Sequence, residues 1–228
     1  VRRWAIALFM VVTFGAAPRA GFAGCSDYPA PGVNWSGCSK VNRMMAGYDF
    51  RGANLENADL SRSDLTGANF INANLRKANF ARAQLKGAML TGALLEKATL
   101  DRALLAGADL RDARLEGASL DRANLTEAIL TGANVQKAAL GRTILIGADL
   151  TRADLSGAFL GRADLRRATL TQANMKNATL LFADLRDTDL SGVINLAEAQ
   201  LNEACGNAMT KLPASMVAPG TWQCAGRE

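Results

Sequence analysis

The chain has 228 residues, 49% of them apolar, with 26 Lys and Arg against 21 Asp and Glu and no histidine. The missing imidazole excludes Ser-His and Cys-His nucleophilic pairs and histidine metal ligation. A formal net charge of +5 on this length offers little counterion release for general nucleic-acid binding.

At the start, Arg2 and Arg3 precede an apolar run of 14 residues from Trp4 to Ala17. That is too short to span a bilayer as a stable helix and suits the core of a secretory signal. Gly21-Phe22-Ala23 places small residues at the third and first positions before a cut, so a leader over 1–23, cleaved after Ala23, is expected. The mature protein is then periplasmic or extracellular, with no transmembrane segment. Because the run is apolar all round, it does not read as a packed amphipathic helix. Phe22-Ala23-Gly24-Cys25 loosely resembles a lipobox, which leaves acylation of Cys25 as the alternative. Residues 24–47 contain Pro29, Pro31, Gly32, Tyr28 and Trp35, and read as an irregular N-terminal cap.

From Tyr48 to Gly192 the sequence repeats every five residues without insertion or deletion, giving 29 units. The central residue is Leu in all but Phe50, Phe70, Phe80, Val135 and Met175. Two places earlier stands Ala, except at Tyr48, Ser63, Thr143 and Thr188. Apolar residues separated by one polar residue point to the same side of an extended segment. In a helix, steps of five residues would wind the leucines around every side. In one long strand, an odd period would swap faces at each repeat. What remains is a short extended step, a turn, and repetition, with every Ala and Leu inside a coil. Gly52, Gly67, Gly87 and other glycines in the last place of the unit fit tight bends. Units of this kind touch only their neighbours and stack as a solenoid.

The A-(D/N)-L-x-x units, such as Ala108-Asp109-Leu110 and Ala163-Asp164-Leu165, resemble the pentapeptide repeat family. The resemblance implies an all-β, right-handed, quadrilateral (four-sided) parallel β-helix with four units per coil. Twenty-nine units would then make about seven coils and a rigid column roughly 35 Å tall. Several exported bacterial proteins with these repeats look similar at both ends, with a P-A-P-G-V-x-W-S-G-C opening and an A-C-G closing. Some relatives mimic DNA and protect a topoisomerase from drugs, and family members often dimerise through the C-terminal coil.

Residues 193–228 read as a C-terminal cap. The register slips by one residue between Leu190 and Leu196, Leu201 keeps the beat, and Cys205-Gly206 ends it. Cysteines of opposite column ends stand too far apart to bond, so the expected disulfides are Cys25-Cys38 and Cys205-Cys224, one in each cap. A zinc site is the competing reading, disfavoured by long spacings and the absence of His.

No glycine-rich phosphate loop and no G-x-S-x-G elbow occurs, and the chain reads as no enzyme, with no cofactor. Asp109 and Asp149 align on one side, but carboxylates in this position read as turn residues bonded to local backbone. With four units per coil, Arg62, Arg82, Arg102, Arg122, Arg142 and Arg162 stack on one edge, with Asp101 and Asp121 beside two of them. This ladder is the candidate binding site, an anion-binding ridge for a partner protein, an anionic polymer or envelope lipid headgroups. The competing reading is a solvated turn position where long side chains cover the coil above. Leu181 and Phe182, and Ile144 and Ile146, form small outward apolar patches. Losing Arg2, Arg3 and Arg19 with the leader leaves 23 cationic against 21 acidic residues, a net +2 that suits neither DNA mimicry nor nucleic-acid binding. A closed C-terminal end favours a monomer, with a dimer as the alternative. The expected role is therefore a non-enzymatic exported scaffold or protein-interaction surface.

Overall fold

The computed structural model describes residues 24–220 and 222. The expected leader, its cleavage point and Cys224 lie outside the described residues.

Every fifth residue makes a parallel bridge to the residue 20 further on, from Asn34 with Asn54 through Asn174 with Ile194. Four five-residue units therefore make one coil. The unit closes by a turn in which the central carbonyl accepts the next Ala N–H, as between Leu55 and Ala58 at 3.0 Å. Coils are joined by three further backbone bonds per unit. Around Leu55, the Asn54 N–H donates to Val33 at 2.9 Å, the Leu55 N–H to Asn74 at 2.7 Å and the Asn57 N–H to Arg76 at 2.9 Å. Only the N–H of the residue after the centre is left over. The Asp or Asn before the centre takes it: Asp59 accepts from Ser61, Asn69 from Ile71 and Asp149 from Thr151. This explains the repeat's polar letter, since the short side chain completes the backbone pairing of a buried coil.

The inward Ala and Leu are fully buried along the whole column. Near the N-terminal end the core is aromatic, with Phe50 stacked on Phe70 at 4.9 Å between ring centroids and Trp35 tilted over Phe50 at 5.5 Å.

Coil geometry extends past both expected limits. Residues expected to form an irregular cap instead form the first coil, with Asn34, Ser39, Met44 and Asp49 bridged to residues 20 ahead. Val33, Trp35, Cys38 and Met45 hold its inward places, and Gly32, Gly37, Asn42 and Gly47 take the left-handed turn position. Lys40 and Arg43 break the apolar pattern here, where no further coil stacks above them among the described residues. The Lys40 ammonium lies 3.7 Å from the Trp35 ring centroid and donates to the Cys25 carbonyl at 2.6 Å. Trp35 of this coil packs over Phe50, and Tyr48 points outward, 45% exposed. Cys25 and Cys38 are bonded, with Cα atoms 5.5 Å apart.

At the other end the coil does not stop at Cys205-Gly206. A single helical turn, Glu198–Leu201, is inserted, after which Cys205 bridges Asp184 and Lys211 bridges Asp189, one and two residues out of register. Gln200 fastens this turn to the column by donating to the carbonyls of Met175 at 2.8 Å and Ala178 at 2.7 Å. Cys205 is disulfide-bonded. Leu212, Met216 and Trp222 pack over the end, and Trp222 lies so close to Gly206 that a Cβ there would overlap its ring.

Candidate functional site

Most of the described arginines fall into two classes according to their place in the unit; Arg76 and Arg114 instead share Glu96 at 3.3 and 2.9 Å. Four that stand just after the centre fold back on the Asp just before it. Arg51 pairs with Asp49 at 2.7 Å, Arg111 with Asp109 at 2.5 Å, Arg166 with Asp164 at 2.7 Å and Arg186 with Asp184 at 2.6 Å. These pairs leave a mark on the carboxyls. The Arg111 guanidinium holds the Asp109 carboxyl below the usual range. At Asp184, only 3% exposed, burial pushes the pKa up, but bonds from Arg186 outweigh it and the net direction is down. Asp109 and Asp149 are therefore ionised turn residues with satisfied oxygens, Asp149 accepting from Thr151 and from the Thr131 hydroxyl at 2.9 Å. No proton is shared between them.

The second class stands two places after the centre; it holds Arg152 and Arg167 on other faces and, on one edge, the ladder. Arg62, Arg82, Arg102, Arg122, Arg142 and Arg162 all stand two places after the centre, all are exposed, and all take φ between 54° and 59°. The backbone turns outward at this position, which aims the side chain away from the carboxylate row. Among the described residues Arg62, Arg82, Arg102 and Arg142 make no ion pair, while Arg122 approaches Asp121 at 3.6 Å. Asp101 does not neutralise Arg102, because its carboxylate accepts from the Ser119 hydroxyl at 2.5 Å and the Asp121 N–H at 3.1 Å. The 20-residue bridges confirm the stacking inferred from spacing, with successive attachment points about 4.8 Å apart.

The ladder ends at Phe182, over whose ring the Arg162 guanidinium lies at 5.6 Å from the centroid. Here the structure adds a feature the sequence reading missed. Asp121, Gly141, Arg142, Phe159, Gly161, Arg162, Leu181 and Phe182 line an open groove of about 230 Å³. Phe159 lies across Gly141 and Gly161, where an added Cβ would stand 3.2 Å and 2.5 Å from its ring atoms. The available signal was glycine immediately after the centre, at 141 and 161, instead of in the turn position.

Among the described residues there is no cluster of Cys, Asp and Glu able to hold a metal ion, and no helix long and apolar enough to cross a membrane.

The family model for pentapeptide repeats matches in eight copies, over stretches that run from residue 49 to residue 205. The chain belongs to the pentapeptide repeat family. HetL, a pentapeptide repeat protein involved in heterocyst differentiation regulation from the cyanobacterium Nostoc sp. strain PCC 7120, is 28% identical. The alignment covers 80% of this chain and 84% of HetL, with a TM-score of 0.54. Full-length QnrB1, a plasmid-mediated fluoroquinolone resistance protein, is 20% identical over 79% of this chain and 92% of its own, with a TM-score of 0.71. The shared fold is a right-handed β-helix solenoid. No curated protein matches the sequence. Pentapeptide repeat proteins are in general structural or interaction proteins, and no catalytic family is indicated here.

Proposed function

We propose that this pentapeptide repeat protein is an exported, non-enzymatic scaffold that meets a partner through the ridge Arg62 to Arg162. The carrying observation is the contrast between the two arginine classes. Arginines beside the carboxylate row are neutralised in place, whereas the ladder presents six exposed guanidiniums, five of them, all but Arg122, without an ion pair among the described residues. Bidentate forks held at fixed spacing on a rigid wall suit a protein surface rich in Asp and Glu. Export is supported by the apolar run before Gly24 and by the Cys25-Cys38 bond, since disulfides persist in oxidising compartments. The covering of the last coil by Leu212, Met216 and Trp222 supports a monomer. The near balance of charge argues against DNA mimicry, and the likeness to QnrB1 carries the fold alone.

The test is a pull-down from envelope extract with the wild-type protein beside a variant carrying Arg82→Gln, Arg122→Gln and Arg162→Gln. Retention of a protein by the wild type alone, released by moderate salt, is the expected result. Retention of an anionic polysaccharide or lipid instead would replace the partner class and keep the ridge. Equal retention by both proteins would remove the ridge from the mechanism.

A further inference from the structure

We propose that the groove at Phe159 is an anchor site for an acidic protein segment bearing one large apolar side chain, Leu or Phe. This deepens the reading of the ridge as a protein-binding surface and rests on it. The volume, about 230 Å³, is below the roughly 300–1,000 Å³ usual for small-molecule sites and suits a single large side chain. Three of its lining residues are large and apolar. Phe159, Leu181 and Phe182 are 47%, 37% and 47% exposed, a cluster of exposed apolar surface on a wall whose outward positions are otherwise mostly polar.

Charge around this floor selects the segment. Arg142 and Arg162 stand on one rim, and Arg142 has no ion pair among the described residues. The N–H groups of Gly141 and Gly161, both buried, find no acceptor among the described residues, whereas the equivalent N–H of Asp121 is taken by Asp101. The site thus offers two guanidiniums beside an apolar floor. Asp121, already 3.6 Å from Arg122, closes the end toward the N-terminus. Carboxylates flanking an apolar side chain match this arrangement, and desolvation of the anchor strengthens the charged bonds around it.

The glycines make the test specific. Neither Gly141 nor Gly161 has positive φ, so alanine suits their backbone. Gly161→Ala places its Cβ 2.5 Å from the Phe159 ring tip and expels an exposed ring without touching the core. Three fluorescein-labelled pentapeptides serve as ligands: Glu-Asp-Leu-Asp-Glu, the same with central Ala, and the same with Gln and Asn for the acids. Anisotropy titrations at low salt compare the wild-type protein, Gly161→Ala, Phe159→Ala and the triple variant Arg62→Gln, Arg82→Gln, Arg102→Gln. The expected result is that wild type prefers the Leu peptide over the Ala peptide by about tenfold. Both groove variants should erase that preference, and the triple variant should retain it. Equal, salt-sensitive binding of the Leu and Ala peptides overturns the groove and leaves the ridge standing. No binding of either acidic peptide overturns both.

Discussion

The hydroxyl of Thr143, fully buried where the repeat calls for Ala, donates to the carbonyl of Leu120 at 2.8 Å. Thr188 does the same to Leu165 at 2.8 Å and Ser63 to Lys40 at 2.7 Å, always 23 residues back. Three departures from the repeat thus share one solution, and the column keeps its register through Thr143 and Ile144. Each bond joins two coils; the Leu120 and Leu165 carbonyls already accept one turn N–H, whereas at Ser63 the hydroxyl itself accepts the Arg43 N–H at 3.0 Å, and the net worth of each is about 1 kcal/mol. Thr143→Val, similar in shape but without the donor, should lower stability by about that amount in denaturant unfolding. A neutral result would mean that the hydroxyl only fills space.

The ladder arginines occupy a left-handed turn position that glycine also fills, as at Gly107 and Gly147. A side chain there costs roughly 1 kcal/mol or more against glycine. Arg102→Gly should therefore raise stability by about 1 kcal/mol, measured as an increased denaturant midpoint at unchanged slope. A loss of stability would show instead that the arginine stems pack over the coil above, the structural reason for keeping them. Strain alone does not mark the ladder as functional, because Lys77, Asp112 and Phe182 bear it too.

The five-residue beat is legible in the sequence because Ala and Leu keep their places without a break, and the ladder follows once the register is 20. Legibility ends where the reason for the pattern ends. The first coil has no further coil above it among the described residues, and Lys40 and Arg43 stand in places that are apolar elsewhere, so it reads as loop. Beyond Leu196 the inserted helical turn moves Cys205 and Lys211 out of step, although their backbone bonds still follow the column. The groove was hidden for another reason. Phe159, Gly141 and Gly161 lie on neighbouring coils, and their meeting depends on where a ring points, which periodicity does not encode.

Acid should weaken the column, beginning near pH 4. The Ser191 hydroxyl and N–H, with the Lys211 ammonium at 3.0 Å, hold the Asp189 carboxyl down to about 2 from its ordinary 3.8. Asp49, Asp64, Asp109, Asp154 and Asp184 are also lowered. A carboxyl with a lowered folded pKa binds fewer protons folded than unfolded. Its contribution is full above the unfolded value and is lost as pH falls through the folded one. Melting temperature should hold between pH 7 and 5 and fall between about 4 and 2. Asp189→Asn should flatten part of that fall and leave the plateau lower, because Lys211 loses its ionic partner.

Loss of the Cys25-Cys38 bond should release the first coil and spare the rest. The bond closes 13 residues of sequence separation, and its constraint on the unfolded chain is worth about 3 kcal/mol. Among the described residues the coil it holds has a neighbouring coil on one side only, which gives it half of the stacking that stabilises interior coils. Lys40 depends on the bond as well, since its ammonium reaches the Cys25 carbonyl while covering Trp35. In a protein carrying Cys25→Ser and Cys38→Ala, limited proteolysis should cut within 24–47 and leave a resistant fragment beginning near Tyr48. Trp35 emission should shift to the red, read in a background with Trp4→Phe and Trp222→Phe. Cleavage spread along the whole column at the same rate would show that the coils unfold as one unit and that the first is not separately held.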